Sequence, residues 1–592
     1  MSETNGVNGL NGHTISPPVS AASKPSSTSD LEIDLLIVGT GPAGGALAAF
    51  LASYGLKGLI VSRDSGNADS PRAHITNMAA LDCLRDIGVD TDCYAIGTTG
   101  DSMRHTRWSN TMAGEEYARI YSWGNDPKRK GDYELASPSE PLDLPQTLLE
   151  PLLMRYATLN GFKCRWNTEF VSFVQDTKGG GITTTLFDNV TGQSYRVHSK
   201  YLFGCDGARS RIVKQLDLPL IVRPGQGLAV NILMEADMSH LMDNRKGNLH
   251  WILQPDQPDT KHPSFGWIGC MRMVKPWHEW LCIVFPGPGA DLTVKPSEDD
   301  YLKMAHQFIG DDSVKVKVLG ISTWQINEIA AARYSEGNIL CLGDAVHRHP
   351  PNHGLGSNTC IQDAHNLAWK ISYLLKGIAG EGLLESYNAE RQPVGLDVIT
   401  QANRSLRNHR KIWEILGVTE AEVAVRKAAV AELSADTPEG LARRERLQAA
   451  LKAMDREEHG LGIEMNQRYN SSAIYKSDQG APPTFTTDEF EHYHPTTYPG
   501  ARLPHVWLNH ATPATHISTI DLAGKGNFCL LTGIGGHGWK LAAKELSTKL
   551  GVPIAAYSIG FRQDYEDVYR DWAQIRVWEY SGAARLFCGL EM

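Results

Sequence analysis

A glycine-rich turn between an apolar run and a helix-like segment is the feature that most constrains the fold. Leu35–Val38 has the length and apolar character of a buried strand, and Gly39–Gly44 reads GxGxxG directly after it. A helical pattern then runs to Tyr54 and ends at Gly55, and Gly58–Val61 follows as a second strand. In this strand–turn–helix context the motif predicts a dinucleotide-binding α/β unit.

Each glycine of the motif has its own physical role. Gly39 permits the tight turn, Gly41 lets a pyrophosphate approach the backbone, and Gly44 lets the helix pack on the strand. The usual fingerprint has an acidic ribose ligand after the second strand, but this chain has Ser62 and Arg63 there. Both are predicted cofactor contacts, although the sequence leaves the ribose ligand open. The alternative is a glycine turn without a ligand.

Two further motifs each follow an apolar strand. One is Asp206-Gly207 and the other is Gly343-Asp344, which a Pro/Gly loop connects to a helix predicted from about Asn358. The carboxylate of Asp344 suits a ribitol or ribose hydroxyl. Amides at a helix N-terminus suit the edge of a flavin that becomes negative on reduction. The predicted cofactor contacts in this region are Asp206, Gly207, Gly343, Asp344, Gly354, Gly356, Ser357 and Asn358.

The three motifs, in this order, resemble those of the FAD-dependent aromatic hydroxylases, the class A flavoprotein monooxygenases. The resemblance covers roughly Asp34–Gln401. It is closest to the phenol and 2,4-dichlorophenol hydroxylase branch at Ile60–Asn77, Met273–Trp280 and Gly462–Tyr469. It implies FAD as cofactor, NADPH or NADH as reductant, and hydroxylation of a phenolic substrate, polyketide-derived ones included, through a C4a-hydroperoxyflavin.

The same resemblance implies roles for single residues. Arg72 matches an arginine beside the isoalloxazine ring, and Gln146 matches a helix-start residue that meets FAD. His74 stands where phenol hydroxylases carry a substrate-facing carboxylate, and an imidazole can accept a phenol proton near neutral pH; Asn77 is predicted to support it. Pro351 matches a proline packed over the flavin. The alternatives are a surface arginine, a first-turn glutamine and a structural histidine.

Strand-like runs between 222 and 323 predict an antiparallel sheet that covers one side of a substrate pocket. Trp251 and Trp267 are candidates to line that pocket, and aromatic core packing is an equal alternative for each. The polar stretch Ser109–Glu140 is predicted to be a loop or lid.

The resemblance implies an α/β fold. A Rossmann-like FAD-binding domain is interleaved with a β-sheet substrate domain of the para-hydroxybenzoate hydroxylase type, and a thioredoxin-like domain follows. The predicted layout is a disordered tail at 1–30, the FAD-binding domain at 31–105, 141–221 and 324–401, the substrate domain with its lid at 106–140 and 222–323, a helical connector at 402–490, and a thioredoxin-like domain without CxxC at 491–592.

Composition excludes several other classes. The net charge of -10 argues against nucleic acid as a partner, and the ten cysteines contain no CxxC pair. His347, His349 and His353 lie in a proline-containing loop without zinc spacing, so no metal is predicted. The uncharged stretch Leu35–Leu56 is long enough for a membrane span, but its glycines and proline argue against one. We expect a cytoplasmic homodimer, and the low-complexity N-terminus suggests a fungal source.

Three other functions deserve comparison. The same flavin chemistry can produce oxidative dearomatisation or ring rearrangement in a biosynthetic pathway, and the motifs do not separate these from hydroxylation. A non-catalytic FAD-binding protein is a further alternative. A flavin halogenase is disfavoured because the W-x-W-x-I-P motif is absent at Trp277–Leu281.

Overall fold

The computed structural model describes residues 30–176, 181–257, 266–286, 295–575 and 585–587. The predicted tail at 1–30 lies outside these ranges, except for Asp30. Two eight-stranded sheets and a smaller C-terminal sheet organise the described chain.

The first sheet contains the strand that precedes the glycine turn. Its strands are Leu31–Val38, Leu59–Val61, Lys163–Arg165, Thr168–Gln175, Ile182–Asp188, Gln193–Gly204, Ser335–Glu336 and Ile339–Cys341. Leu31–Val38 lies between two parallel neighbours, and a further parallel strand follows on each side. Val38 aligns with Gly204, which in turn aligns with Cys341. The three sequence motifs therefore leave the same edge of the sheet, where α/β folds bind their ligands.

The second sheet is mostly antiparallel. Its strands, in spatial order, are His347–Arg348, Lys317–Ala331, Leu220–Glu235, Glu279–Val284, Ile268–Lys275, Leu249–Leu253, His105–Ser109 and Glu116–Tyr121. One face packs on the apolar side of helix Glu298–Ile309, through Met304 and Phe308. The other face packs on helices that carry Ile412 and Met454. Along the chain, the long strand 220–235 enters this sheet after strand Gln193–Gly204 of the first sheet. The long strand 317–331 leads back to the first sheet at Ser335–Glu336.

Helices cover the sheets. The α-helices are Pro42–Ser53, Met78–Arg85, Asp90–Ile96, Lys130–Ala136, Gln146–Leu159, Arg211–Gln215, Ser239–Arg245, Glu298–Ile309, Leu355–Leu375, Glu385–Ile415, Val423–Leu433, Pro438–Glu458, Leu461–Met465, His537–Leu550 and Asp571–Ile575. Short 3-10 turns occupy Gly100–Met103, Gly207–Arg209, Gly343–Ala345, Asn352–Gly354, Glu381–Leu384 and Thr519–Leu522.

The stretch that could have been a membrane span is instead a buried strand, a turn and a helix. Helix Pro42–Ser53 is rich in alanine and leucine, and its residues from Ala43 to Ala52 are all buried. It can be apolar on all sides because other elements of the protein enclose it. In the part of the chain that the structure describes, no helix is long and apolar enough to cross a membrane.

One predicted domain boundary falls within a helix. The FAD-binding domain was expected to end at Gln401 and a separate connector to begin at residue 402. Helix Glu385–Ile415 instead runs through this point without a break. Its first half packs on the first sheet through Tyr387, and its second half packs on the second sheet through Ile412.

The C-terminal region forms a β-α-β unit. Strands Phe528–Thr532 and Ile554–Ser558 are parallel and are connected by helix His537–Leu550, and Arg585–Phe587 adds an antiparallel strand. Burial raises the pKa of the Cys529 thiol to about 12. This cysteine is therefore a packing residue and not a reactive thiolate.

Charged contacts attach this C-terminal region to the flavin-side domain. Arg85 donates to Asp521 through Nε at 2.6 Å and Nη2 at 3.0 Å. Arg502 pairs with Asp82, which is buried and also accepts hydrogen bonds from two serine hydroxyls. A buried carboxylate of this kind depends on its cation.

Replacing Arg502 with methionine should destabilise the protein strongly, because it leaves the buried Asp82 carboxylate without its cation. We expect a loss of about 3–5 kcal/mol in the free energy of unfolding, measured by chemical denaturation. The matched control is Arg410→Met, since Arg410 pairs with Glu414 on an exposed helix surface. That change should cost less than about 0.5 kcal/mol. Equal losses in the two variants would contradict this account of the interface.

Candidate active site

The glycine turn has the shape that a pyrophosphate site needs. A Cβ at Gly39 would lie 2.1 Å from the Cys205 carbonyl oxygen, and one at Gly44 would lie 1.9 Å from the Gly39 carbonyl oxygen. A Cβ at Gly41 would meet nothing closer than Glu150 Oε1, at 3.9 Å. The first and third glycines are therefore required for packing, while the middle one leaves its backbone open at the start of a helix.

Glu150, which no sequence motif marks, organises the segment beside this turn. Its carboxylate accepts from the Ala68 amide at 2.7 Å and from Gln146 Nε2. Burial raises the pKa of Glu150, while the Arg72 charge is among the influences that lower it. Gln146 was predicted to meet FAD, but its Nε2 is already bonded to this carboxylate. The available signal was an acidic residue one turn after Gln146 on an apolar helix.

The residues after the second strand differ in exposure. Ser62 is buried, and its hydroxyl accepts from the Asp64 amide at 3.3 Å. Arg63 is exposed and lies 3.6 Å from the Asp64 carboxylate. Arg72 is also exposed. Both arginines thus lie where a ligand can reach them from solvent.

Asp206 has a structural role that the sequence did not reveal. Its Oδ2 accepts from the amides of Arg211 and Ile212, at 2.8 and 3.3 Å, at the start of a short helix. Its Oδ1 is buried without a partner. Gly207 follows with φ of +74°, which favours glycine. Only one oxygen of Asp206 therefore stays available for a ligand.

A fully buried charge network holds the Gly343-Asp344 turn. Asp363 accepts from Arg391 Nε at 2.7 Å, hydrogen-bonds His347 Nε2 at 2.8 Å and accepts from the Gly343 amide at 3.3 Å. Burial opposes the ionisation of Asp363, yet the charges of Arg391 and His347 hold its pKa below the usual value. Asp344 itself is exposed at the sheet edge.

The helix after the Pro/Gly loop begins earlier than predicted. It spans Leu355–Leu375 and starts from Gly354, which has φ of 61°, so the predicted start near Asn358 is three residues late. Gly356 and Ser357 lie in its first turn. No side chain caps this turn and no acidic residue lies in it. Its amides can therefore face an electron-rich ligand edge.

Asn358, predicted as a cofactor contact, is used inside the protein. Its Nδ2 donates to the Ile75 carbonyl at 2.8 Å, and its Oδ1 accepts from the Asn77 amide at 3.0 Å. Asn77 in turn caps helix Met78–Arg85 by accepting from the Ala80 amide at 3.0 Å. Both asparagine side chains therefore position the segment that carries the predicted base, while the predicted contact of the Asn358 backbone amide with the cofactor stays a prediction.

The histidines and Pro351 of the loop are bonded within the protein. His349 Nδ1 donates to the Pro350 carbonyl at 2.7 Å, and His353 Nδ1 donates to the Glu457 carbonyl at 3.1 Å. Pro351 is exposed, and its carbonyl accepts from the Gly354 amide at 3.0 Å. Over the described ranges, no group of three or more histidine, cysteine or acidic side chains could hold a metal ion.

His74 lies in a buried polar cluster. The short antiparallel pair Ile75–Thr76 and Leu142–Asp143 places it beside Asp143, with His74 Nδ1 3.9 Å from Asp143 Oδ1. Arg272 Nη1 lies 2.8 Å from Asp143 Oδ2, and Asn248 Nδ2 donates to the same oxygen at 2.8 Å. Asp143, Arg272 and Asn248 are site residues that sequence reasoning missed. The signal was one arginine inside the apolar strand at 268–275.

The electrostatics of this cluster keep its histidine neutral. Burial and the Arg272 charge lower the pKa of His74 well below its usual value. Burial raises the pKa of Asp143, against the opposing effect of Arg272. Several atoms remain buried without partners: His74 Nδ1 and Nε2, Asp143 Oδ1, Asn248 Oδ1 and Arg272 Nη2. Buried polar atoms normally have partners, so this cluster has the character of a binding site.

The two tryptophans that were predicted to line the substrate pocket differ in their contacts. Trp267 is a packing residue, which corrects its assignment: its indole donates to the Val418 carbonyl, and the Arg426 guanidinium lies 3.8 Å from its ring centroid. Trp251 lies on the sheet face that also carries Arg272, and it contacts His409 with a ring-centroid distance of 4.3 Å.

Comparisons with known proteins show the family of this chain. The family model described as an FAD binding domain matches residues 32–402, and the aromatic-ring hydroxylase C-terminal model matches residues 496–574. The chain belongs to the FAD-dependent aromatic-ring hydroxylases. It is a flavin-dependent aromatic monooxygenase, and its cofactor is FAD.

Similar proteins cover nearly the whole chain. A 2,4-dichlorophenol 6-monooxygenase of Cupriavidus pinatubonensis is 43% identical over 92% of this chain and 90% of its own length. A phenol 2-monooxygenase of Pseudomonas is 39% identical over 94% of this chain and 89% of its own. The crystal structure of the flavin-dependent monooxygenase PieE, with FAD and substrate, has a TM-score of 0.88 at 38% identity and covers 94% of this chain and 95% of PieE. Both curated relatives are bacterial, so the expected fungal source has no support.

The glycine turn allows a direct test of FAD binding. Gly41→Ala adds a methyl group to space that contains no close protein atom, so we expect a folded protein that binds FAD about tenfold more weakly. Gly44→Ala places its methyl group against the Gly39 carbonyl and should prevent normal folding. FAD titration of the apoprotein and circular dichroism measure the two effects. A Gly41→Ala protein with unchanged FAD affinity would show that the pyrophosphate does not approach here.

Proposed function

We propose that this monooxygenase hydroxylates a phenolic substrate with NADPH or NADH as reductant, and that His74 accepts the phenol proton. The observation that carries the proposal is the buried imidazole of His74, whose two ring nitrogens lack partners beside the Asp143–Arg272 pair. The names of the relatives, for phenol and for dichlorophenol, support a phenol as the substrate.

His74 suits the task of a general base. Its lowered pKa keeps the imidazole neutral at pH 7, so a ring nitrogen is free to accept the phenol hydroxyl proton. The Asp143 carboxylate, 3.9 Å from Nδ1, stabilises the imidazolium that then forms. The unpartnered Arg272 Nη2 donates to the phenolate oxygen. Deprotonation enriches the ring carbons ortho and para to the oxygen in electron density.

The remaining machinery holds the cofactor. Bound FAD supplies, after reduction by NADPH or NADH, the electrophilic oxygen atom derived from O₂. We assign the pyrophosphate to the backbone at Gly41 and the flavin edge to the first-turn amides of Gly356 and Ser357. The exposed residues Asp344 and Arg72 are proposed as further contacts. Burial of the polar cluster excludes water from the reacting ring.

Hydroxylation is favoured over ring rearrangement. The relatives named as phenol and dichlorophenol monooxygenases are about 40% identical to this chain, whereas the rebeccamycin biosynthetic enzyme RebC is 27% identical with a TM-score of 0.72. The stretch 106–140 is not a plain loop, because it holds strand Glu116–Tyr121, most of strand His105–Ser109 and helix Lys130–Ala136. The cytoplasmic location, the homodimer and the roles of Ser62, Arg63 and Pro351 stay predictions.

Replacing His74 with alanine should lower phenol-dependent product formation at pH 7 by about 10²–10⁴-fold, because the proton acceptor is lost. The wild-type acid limb of kcat/KM should lie below pH 6.5, since the neutral imidazole persists below its usual pKa. In the variant the rate should rise with pH towards the phenol pKa, because only ionised substrate reacts. NADPH oxidation and product formation are measured together from pH 5 to 10.

The control is His505→Ala, which removes another buried histidine, in the C-terminal region. Its pH profile should match that of the wild type. Unchanged hydroxylation by the His74 variant at neutral pH would remove His74 from the mechanism.

A further inference from the structure

Buried polar atoms without partners are also found next to the His74 cluster, on one face of the second sheet. Thr106 and Arg272 both align with Leu249, and Trp108 aligns with Trp251 two residues further along. Their side chains therefore point to the same face. The unpartnered atoms there are Thr106 Oγ1, Trp108 Nε1, Trp251 Nε1 and Arg272 Nη2.

Glu458 lies near this group, since Thr106 and Arg272 both influence its carboxyl group. It is the last residue of helix Pro438–Glu458, it is 2% exposed, and both of its carboxyl oxygens lack a partner. The Trp123 amide fixes its backbone by donating to its carbonyl at 3.2 Å. The Thr106 hydroxyl and the Arg272 charge are close enough to influence the carboxyl group, although neither makes a hydrogen bond of normal geometry with it.

The neighbouring Glu457 shows how a buried glutamate is normally satisfied. Its Oε1 accepts from Asn352 Nδ2 at 2.9 Å, and its Oε2 hydrogen-bonds His409 Nε2 at 3.0 Å. It therefore has a structural role between the flavin loop and helix Glu385–Ile415. Glu458, equally buried on the same helix end, has no comparable partners, so packing alone does not explain its polarity.

The chemistry of Glu458 suits an oxygen ligand. Burial and the charge of Glu457 raise the pKa of Glu458 well above its usual value, which favours the protonated carboxylic acid. Such a group donates one hydrogen bond through its hydroxyl and accepts through its carbonyl oxygen. A hydroxyl or carbonyl substituent on an aromatic ring matches both capacities.

We propose that Glu458 binds a second oxygen substituent of the aromatic substrate, so that the enzyme prefers diols or hydroxy-carbonyl aromatics to simple phenols. This inference rests on the proposed function, in which His74 and Arg272 bind the first oxygen. Glu458 is then a specificity-determining residue that comes from outside both predicted catalytic domains. The indole N–H groups of Trp108 and Trp251 lie on the same face and are further donors for substrate oxygen.

The test compares substrates that differ by one oxygen. The FAD-loaded enzyme is assayed with phenol against the three benzenediols, and with 2-naphthol against dihydroxynaphthalenes. The Glu458→Leu variant should lower kcat/KM about tenfold for the preferred diol and less than twofold for the matched mono-ol. Glu458→Gln keeps a donor and an acceptor and should stay close to the wild type. Flavin absorbance titrations give the dissociation constants.

Two further variants separate the alternatives. Asp455→Asn alters an acidic residue one turn earlier on the same helix and should change neither substrate's kinetics. Thr106→Val removes the neighbouring hydroxyl and shows whether the effect of Glu458 comes only from its interaction with Thr106. The inference is overturned if Glu458→Leu affects mono-ols and diols equally, if no diol is preferred, or if Thr106→Val fully reproduces the Glu458→Leu effect. FAD content and melting temperature establish that each variant is folded.

Failure of the proposed function is recognisable separately. If the wild-type enzyme oxidises no NADPH or NADH in response to any phenol, the hydroxylase proposal fails. Diol binding to the FAD-loaded protein still perturbs the flavin spectrum in that case, and its loss in Glu458→Leu then tests the binding role alone.

Discussion

The parallel register of the first sheet is the constraint on which the site depends. Val38, Gly204 and Cys341 end their strands side by side, so the three loops that follow must leave the same edge. Because parallel strands hold their register through buried apolar side chains on both faces, the edge is fixed by the core. Loops far apart in the sequence thereby form one continuous ligand site.

A buried network of charged side chains fixes the conformation of one turn at this edge. Asp363 is ionised in the core because Arg391 and His347 compensate it, and through the Gly343 amide the network reaches the turn that carries Asp344. A buried ion pair contributes little net stability compared with apolar packing, but loss of one partner is costly. Such a network favours one arrangement of the turn over its alternatives.

Whether a buried polar side chain has hydrogen-bond partners within the protein separates structural residues from candidate functional ones. Asn358 and Glu457 have their side chains bonded within the protein, whereas His74 and Glu458 do not. All four are buried polar residues in the same region, so burial alone does not distinguish them. An unpartnered polar atom in the core costs free energy, and a bound substrate or ordered water can offset that cost.

The sequence by itself determined a dinucleotide-binding α/β unit, because glycine motifs after apolar strands encode local backbone geometry. Its resemblance to the aromatic hydroxylases indicated FAD and the enzyme class. It also pointed to His74 through family resemblance. Tertiary structure alone decided that Asp143, Asn248 and Arg272 lie around this histidine, that Trp267 packs against Arg426, and that one helix continues through residue 401. The side-chain contacts among these findings join residues that are far apart in the sequence, and such partners leave no periodic signal in one sequence.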